Sequence, residues 1–585
     1  MKHNNNSSLG AKRKPKPKWN QINWVLVEKF VLRLERSIAK AVEHHDFAKV
    51  AKLRRIFRTS KNVRLLSVRK VTQDNRGKKT AGVDGKVITS EKDRWRLASN
   101  VRIDGKSNPL RRVWIPKSNS KELRPLGIPT IEDRVKQMML KLEIEPIYEV
   151  QAEPNVYGFR PARSVHDAIE ACFIAIGCKK EGAWVLEGDF SKFFDNINKE
   201  HLLNMMKSKG ITDKETLQQV QAWIKSGVID KEVFTKTDKG TPQGGVISPL
   251  LANIALHGME NMLHDWVDTW KGTKRSNHQS FSVIRYADDF VVIHKDKAVI
   301  EEAKLCIEEW LDKGVGVKLN QTKTKITHTT EGFDFLGFNV RQYRVNNGSQ
   351  LKFLTKPSMD KVKAHMESIR QVTKTMRAVS TQTLIDKLNP IIIGWSNYYS
   401  SAASKKTLNW CDNQMFLKLW KWATRRHNDD HKSKRWIKNK YFKRIGTRNW
   451  VFAVVDEKGK PIKRLKYHAE TKIVRHVKVK GTKHVYDGDN IYWAKRNARN
   501  PLLPTRVKKL LFKQKGICPY CGSPFKNDDI MEVDHIKPKS EGGKDIYQNL
   551  QRNFYMGTRM ITKLGTINAG MKRNYSPNQI GFLSK

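Results

Sequence analysis

The first strong periodicity in the chain is helical. Between residues 23 and 58, apolar side chains recur at spacings of three and four, and the positions that would share one side of a helix are Val27, Phe30, Val31, Leu34, Ile38 and Val42. Residues 110–350 mix helical and strand patterns, and residues 357–400 are helical again. This alternation predicts an α+β chain with more than one core.

Two strand patterns end in carboxylates. The run Phe281–His294 reads FSVIRYADDFVVIH, and its two apolar halves predict a hairpin with Asp288 and Asp289 at the tip. Earlier in the chain, the apolar strand pattern that starts near Ala183 ends at Asp189. Three carboxylates on neighbouring strand ends can hold two Mg²⁺ ions about 4 Å apart for phosphoryl transfer. Taken alone, an Asp-Asp pair in a turn is more often ordinary turn chemistry.

Charge narrows the choice of partner. The 585 residues include 112 Lys and Arg against 58 Asp and Glu, a net charge of +54. Such an excess favours a polyanion, and nucleic acid fits better than a membrane because no apolar stretch approaches the ~20 residues of a spanning helix. Residues 432–448 hold eight basic residues and no acids, with Trp436, Tyr441 and Phe442 between them. This mixture is typical of phosphate contacts combined with base stacking.

The N-terminal stretch and the cysteines indicate the kind of cellular compartment in which the protein is expected. Residues 2–18 are basic and contain no acid and no apolar signal run, so we expect the protein not to be secreted. This stretch fits an organellar presequence, a nucleic-acid arm or a solvated tail. Six cysteines do not make a disulfide framework in a chain of this length, and only Cys518 and Cys521 have metal-ligand spacing.

The order of the short motifs resembles the reverse transcriptases encoded by group II introns. Tyr286–Asp289 is similar to their Y-x-D-D box, and the resemblance is strong from about residue 60 to 400. The other blocks that carry it, in chain order, are Gly82–Gly85, Arg111–Lys117, Arg124–Pro129, Tyr157–Pro161, Asp189–Asp195, Gly240–Leu250, Leu319–Lys325 and Phe335–Phe338.

The resemblance implies a right-hand polymerase with fingers, a palm built on an antiparallel sheet, and an α-helical thumb. A basic DNA-binding region and a small zinc-type HNH-like module follow. The implied domains are a basic disordered tail at 1–20, fingers and palm at 21–350, the thumb or maturase domain at 351–404, the DNA-binding domain at 405–505 and the HNH-like module at 506–585, degenerate or truncated after about 551.

Roles carried over from the family begin with Asp189, Asp288 and Asp289 as catalytic ligands of two Mg²⁺ ions. Arg112 would face the incoming triphosphate, with Lys117 and Arg124 as neighbouring candidates. Phe194 would stack beneath the sugar and exclude a 2′-hydroxyl, while Gln243 and Gly244 would let the backbone approach nucleotide and template. Lys323 or Lys325 would meet phosphate, or simply lie on a solvated face.

The C-terminal module resembles an HNH endonuclease but departs from its pattern. The resemblance implies Asp534 as a cation ligand, His535 as general base and Asn549 as the residue that orients it. After residue 551 the chain contains no histidine and no cysteine. The missing final histidine argues against DNA endonuclease activity, and Cys518 with Cys521 cannot alone complete a tetrahedral Zn²⁺ site. A single-nucleotide frameshift near codon 551 would explain the loss, and a diverged tail is the alternative.

The resemblance therefore implies an RNA-directed DNA polymerase and maturase. It would bind its group II intron RNA, assist splicing, and copy the intron into target DNA from dNTPs by target-primed reverse transcription during retrohoming. The alternatives are a maturase that acts only in splicing and a stand-alone retron-like reverse transcriptase. We expect a bacterial cytoplasmic or organellar protein with no membrane partner, and dimerisation on the RNA stays open.

Overall fold

The computed structural model describes residues 18–116, 123–179, 181–191, 193–230, 233–235, 244–345, 351–427, 432–498, 503–519, 522, 524–525 and 531–554. Helices and sheets alternate along the chain, which confirms the predicted α+β class. The chain divides into two compact units, Met1–Val150 with Met206–Leu251 and Gln151–Met205 with Ala252–Lys585. Of the described residues, no helix combines the length and apolar character needed to cross a bilayer.

The helices are numbered in chain order. They are α1 Trp24–Glu43, α2 Phe47–Thr59, α3 Lys61–Arg69, α4 Glu91–Asn100, α5 Ile131–Gln151, α6 Val165–Gly177, α7 Phe193–Asn196, α8 Lys199–Ser208, α9 Lys214–Ile224, α10 Ser248–Ala255, α11 Met259–Val267, α12 Lys274–Ser280, α13 Lys297–Trp310, α14 Met359–Thr375, α15 Thr381–Tyr398, α16 Lys405–Arg425, α17 Lys434–Tyr441, α18 Asn490–Ala498 and α19 Thr505–Lys513.

The strands form several separate sheets. They are β1 Leu110–Pro116, β2 Leu123–Ile128, β3 Trp184–Asp189, β4 Val228–Asp230, β5 Val233–Thr235, β6 Ser282–Tyr286, β7 Asp289–His294, β8 Lys325–His328, β9 Phe333–Phe335, β10 Phe338–Arg344, β11 Leu351–Pro357, β12 Phe442–Ile445, β13 Arg448–Val455, β14 Pro461–Arg464, β15 Met531–His535 and β16 Leu550–Phe554. The strand orders are β2-β1-β4-β5, β6-β7-β3-β8, β11-β10-β9, β12-β13-β14 and β15-β16.

The helical prediction for residues 23–58 is confirmed, with one interruption that the periodicity did not indicate. The structure has two helices there, because His45 adopts a left-handed conformation with φ of 55°. Asp46 then begins α2 by accepting a hydrogen bond from the Lys49 backbone N–H at 2.9 Å. An aspartate at this position is a common helix start. The apolar periodicity continues across the break because both helices bury Val31, Ile38 and Val50 in the same unit.

A buried ion cluster ties three elements of this first unit together. Arg54 on α2 donates to Glu143 on α5 at 2.7 Å, and the Arg54 side chain is 2% exposed. Its guanidinium also contacts Asp213, the residue that caps α9, at 2.6 Å. Burial raises the pKa of Glu143 while Arg54 and Arg58 oppose that change. Breaking such a pair on one side leaves a buried charge uncompensated.

The second unit is built around the antiparallel sheet β6-β7-β3-β8. The apolar residues of β3 and β7 form the interior of this sheet, and Val185, Val291 and Ile293 are completely buried. Helix α6 packs on β6 and on β11, so one core joins the central sheet to the β9–β11 sheet. The hairpin at the end of this sheet carries two of the predicted aspartates.

A second core of this unit lies among α14, α15 and α16. Asp412 on α16 accepts hydrogen bonds from the backbone N–H and the Nδ1 of His468, and the other ring nitrogen of His468 lies 2.8 Å from His365 on α14. Trp395 on α15 stacks on His365 with ring centroids 4.4 Å apart. This polar chain fixes the three helices relative to one another.

An irregular segment, residues 473–484, crosses the outer side of α6, and we call it the strap. Asp167, in the first turn of α6, is fully buried and accepts a hydrogen bond from the Val479 backbone N–H at 2.9 Å. Arg496 on α18 pairs with the same carboxylate. Arg475 of the strap pairs with Glu170 at 2.8 Å. The strap is therefore held to α6 by charge and by a hydrogen bond from its own backbone.

Candidate active site

Strand pairing brings the three predicted catalytic aspartates to one end of the central sheet. In the antiparallel pair of β3 and β7, Asp189 lies opposite Asp289. In the hairpin of β6 and β7, Asp289 lies opposite Tyr286, so Ala287 and Asp288 form a two-residue turn. The predicted hairpin is confirmed. Ala287 has φ of 60°, which lets the turn present Asp288 beside Asp289 rather than on the opposite face.

The proximity of these carboxylates changes their electrostatics. The pKa of Asp289 is raised to about 7, first by desolvation among the surrounding atoms and then by the negative charges of Asp288 and Asp189. The residue still keeps access to solvent. Lys323 opposes the shift, and its Nζ lies 2.6 Å from Oδ2 of Asp189. Crowded carboxylates of this kind are stabilised by a nearby cation.

The donor chemistry at this end of the sheet fits a hard divalent ion, because it consists of carboxylate oxygens with solvent access. As they stand, no three His, Cys, Asp or Glu side chains of the described ranges converge closely enough to hold a metal. At this site Lys323 occupies one oxygen of Asp189. Lys325, the other lysine candidate, lies on β8 opposite Glu187 instead. Sequence reasoning could not decide between the two lysines.

A glycine supports the turn from below. Tyr157 donates its backbone N–H to the Arg285 carbonyl at 2.9 Å, which places Gly158 against the hairpin. A Cβ added at Gly158 would lie 2.2 Å from the backbone N of Ala287, so only glycine allows this approach. The position belongs to the motif Tyr157–Pro161, but its contact with the turn is visible only in the structure.

The predicted nucleotide-binding residues that are described lie mainly in the first unit. Arg112 and Arg124 are on the antiparallel strands β1 and β2, and the Arg112 guanidinium lies 5.8 Å from the Trp114 ring centroid. Gly244 has φ of 116°, and a Cβ there would lie 2.7 Å from the carbonyl oxygen of Gly127. The close backbone approach at Gly244 is thus present within its own unit, while the nucleotide roles of these residues stay predictions.

Three of the predicted residues cannot be placed in this way. Lys117 and Gln243 lie outside the described residues. Phe194 is within the backbone of α7, but its side chain is not among those described. Their proposed contacts with the nucleotide remain predictions.

Four known families match successive parts of the chain. Residues 19–101 match the N-terminal domain of reverse transcriptase, and residues 115–340 match reverse transcriptase (RNA-dependent DNA polymerase). Residues 362–442 match the group II intron maturase-specific domain, and residues 518–552 match the HNH endonuclease. All three aspartates lie within the second match.

Several known proteins are similar to parts of this chain. The Escherichia coli K12 protein YkfC is 36% identical over 324 residues, which cover 50% of this chain and 84% of YkfC. The group II intron-encoded protein LtrA of Lactococcus lactis subsp. cremoris is 31% identical over 291 residues, 40% of this chain and 47% of LtrA. This chain belongs to the group II intron-encoded reverse transcriptase and maturase family. Maturase-like protein 1 of Euglena gracilis is 24% identical over 385 residues, 64% of this chain and 76% of that protein.

The residues that match the HNH endonuclease include strand β15 and the start of its antiparallel partner β16. Asp534 and His535 are adjacent on β15, and His535 lies opposite Leu550 in the pairing with β16. Asn549 donates its side-chain amide to the Lys537 carbonyl at 3.0 Å. The structure thus brings the three predicted HNH-like residues into one neighbourhood.

A charged contact reaches the predicted general base of the module. Nε2 of His535 lies 3.1 Å from Oδ1 of Asp545, and Asp545 also pairs with Arg506 on α19. The Arg506 and His535 contacts lower the pKa of Asp545, Arg506 contributing most. Nothing in the sequence pattern singled out Asp545.

The zinc prediction for this family member gains no support. Cys518 is buried, and its Sγ lies 3.7 Å from Oδ1 of Asn553. Cys521 lies outside the described residues. Within the ranges the structure describes, no group of three or more potential metal ligands is found near Cys518.

The basic region 432–448 separates into buried and exposed aromatics. Tyr441 and Phe442 are 3% and 5% exposed and pack in the core of the second unit. They are therefore core residues, and stacking on bases is excluded for them in this conformation. Trp436 is 37% exposed, and the Lys440 ammonium lies 4.5 Å from its ring centroid. The alternation of charge and aromatics could not distinguish these two environments.

Proposed function

We propose that this chain is an RNA-directed DNA polymerase that copies its intron RNA, with Asp189, Asp288 and Asp289 as the catalytic carboxylates. The observation that carries the proposal is the register of β3, β6 and β7, which sets the three aspartates at one sheet end within the residues that match reverse transcriptase. Bound Mg²⁺ would lower the pKa of the primer 3′-hydroxyl and stabilise the leaving pyrophosphate.

The protein's own groups have two tasks in this scheme. The three carboxylates hold the cations. The pKa of Asp289 is raised first by desolvation and then by the charges of Asp288 and Asp189, and a bound cation would relieve both effects. Lys323 supplies a positive charge to Asp189 and must move aside for a cation at that oxygen. In the proposed fingers, Arg112 and Arg124 would offer cations to the triphosphate, with Lys117 beside them, and Phe194, Gln243 and Gly244 would position the nucleotide.

The proposed architecture assigns β3 and β6–β8 to the palm, β1 and β2 to the fingers, and α14–α16 to the thumb. A groove of about 910 Å³ between α14 and α16 supports an RNA-binding thumb. Positive side chains line it and suit a phosphate backbone. They are Arg370, Lys374, Arg377, Lys418, Lys421, Arg425 and Arg426. This groove lies largely within the residues that match the maturase-specific domain.

We propose intron RNA as the main partner, with target DNA bound by the region that contains α17 and β12–β14. Reverse transcription would be primed by the target DNA during retrohoming. For the C-terminal module we propose no DNA cleavage, since Asp534, His535 and Asn549 are present but the chain after residue 551 offers no histidine to complete the site. We further propose a location in a bacterial cytoplasm or an organelle.

The decisive experiment compares wild type with Asp288→Ala in two assays on the purified full chain. Primer extension on an RNA template with Mg²⁺ should yield cDNA from wild type and none from the variant. Splicing of the cognate precursor RNA should proceed with both proteins, since the maturase surface is unchanged. Asp265→Ala, an exposed aspartate on α11, serves as the matched control and should behave as wild type.

Each alternative predicts a different result. A splicing-only maturase would support splicing without cDNA from the wild type, which would contradict the polymerase proposal. A stand-alone retron-like enzyme would make cDNA but show no effect on splicing, which would contradict the maturase assignment. Asp288→Ala with undiminished cDNA synthesis would remove this aspartate from the catalytic set.

A further inference from the structure

Arg285 is a charged residue buried directly beneath the catalytic turn. It lies on β6, one position before Tyr286, and is 2% exposed. Burial of a guanidinium is costly unless hydrogen bonds or counter-charges compensate it. Packing alone does not explain an arginine here, because an apolar side chain would match the buried residues of the neighbouring strand better.

The guanidinium is directed at the turn itself. Nη1 of Arg285 donates to the carbonyl oxygen of Ala287 at 3.4 Å and to Oδ1 of Asn253 at 3.4 Å. Nη2 lies 3.9 Å from Oε2 of the buried Glu153. The Ala287 carbonyl belongs to the peptide that joins Ala287 to Asp288, so this donor acts on the backbone that carries the Asp288 carboxylate.

Asn253 closes the arrangement around the turn. Its side chain on α10 is 1% exposed, and its Nδ2 donates to the carbonyl oxygen of Gly158 at 2.8 Å. Gly158 in turn lies against the backbone N of Ala287, where no Cβ fits. The Asn253 side-chain amide therefore connects Gly158, which packs against the turn, with Arg285, which donates to the carbonyl oxygen of the turn.

We propose that Arg285 is a positioning residue that fixes the Ala287–Asp288 peptide and thereby aims Asp288 at a divalent cation. Asn253 and Glu153 hold the guanidinium in place for this task. The strained conformation of Ala287, with φ of 60°, is kept by these surroundings rather than by the local sequence. This inference rests on the proposed polymerase function, because it assumes that Asp288 binds a cation.

The test measures cation binding separately from polymerization. Mn²⁺ binding to the full chain is followed by electron paramagnetic resonance, and the relevant component is the one that Asp288→Ala abolishes. Arg285→Gln should weaken that component about 10- to 100-fold, the usual loss when the support of a metal ligand is removed. Arg285→Lys, which keeps the charge and one donor, should fall between Arg285→Gln and wild type.

Primer extension supplies the second measurement. In Arg285→Gln the turnover number should fall and the Mg²⁺ concentration for half-maximal rate should rise, while KM for dNTP changes less than about threefold because no proposed nucleotide contact is altered. Arg54→Gln is the matched control, because it removes another 2%-exposed arginine that contacts a buried glutamate, Glu143. It should lower the melting temperature without changing the Mn²⁺ affinity of folded protein.

The outcomes separate the two proposals. The positioning role would be overturned if Arg285→Gln bound Mn²⁺ within twofold of wild type. It would also be overturned if Arg54→Gln weakened Mn²⁺ binding equally, or if the wild type showed no Mn²⁺ binding that depends on Asp288. If Arg285→Gln does not fold, Asn253→Ala is judged by the same criterion, with weaker binding expected. A wild type that binds Mn²⁺ through Asp288 but extends no primer would contradict only the proposed polymerase function.

Discussion

Replacing Asp167 by asparagine should release the strap from α6. This carboxylate is completely buried and meets Arg496, the Val479 N–H and, at 3.3 Å, Nε2 of His476. Desolvation opposes ionisation, but these contacts outweigh it and lower the pKa of Asp167 from 3.8 to about 2. Asparagine keeps the shape and one acceptor oxygen but removes the charge.

The magnitude follows from this pKa. A depression of nearly two units corresponds to about 2.5 kcal/mol of stability at neutral pH, or a factor of about 60 in a local opening equilibrium. Because the folded pKa is the lower one, the contribution is complete above pH 3.8 and disappears as the pH falls through about 2. The difference between wild type and Asp167→Asn should therefore be the same at pH 5 and at pH 7.

Hydrogen exchange measures this opening locally, which suits a chain of several cores. The amide of Val479 should lose about 60-fold of its protection in Asp167→Asn. Glu170→Gln is the control, because its partner Arg475 is 64% exposed and such a pair contributes under about 1 kcal/mol. Protection within twofold of wild type in Asp167→Asn, or an equal loss in Glu170→Gln, would refute the reasoning.

Two further predictions concern the core beneath the catalytic turn. Gly158→Ala would place a Cβ 2.2 Å from the Ala287 backbone N, so primer extension should fall at least about tenfold as the turn shifts, and an active Gly158→Ala would show that the contact is unimportant. Glu260 is buried beside Glu153. Burial and the negative charge of Glu153 together raise the pKa of Glu260 from 4.5 to about 7, so the folded state holds a proton that the unfolded state releases. Stability should therefore fall by up to about 3 kcal/mol as the pH rises from 4.5 to 7. Glu260→Gln should remove this loss, and melting temperatures at pH 5 and pH 8 that change equally in both proteins would contradict it.

Local sequence patterns predicted the strands and the turn at the site well. They failed to predict where a helix is interrupted and which aromatic side chains are buried. The hairpin around Asp288 and the end of β3 at Asp189 followed from short apolar runs, since strand period and turn residues are local properties. The break within the helical segment 23–58 was not predicted, because the periodicity does not detect a left-handed residue at His45. The exposure of Trp436 and the burial of Tyr441 depend on which core lies beneath them, which no single segment encodes.

The sequence by itself determined the α+β class, the family through the order of its motifs, the need for a polyanionic partner, and the identity of three candidate aspartates. Tertiary structure alone decided that Asp189 faces Asp289, that Lys323 rather than Lys325 meets Asp189, and that Arg285 lies under the turn. These relations join residues far apart in the chain. They arise from strand register and side-chain packing, which depend on the whole unit rather than on any local run of residues.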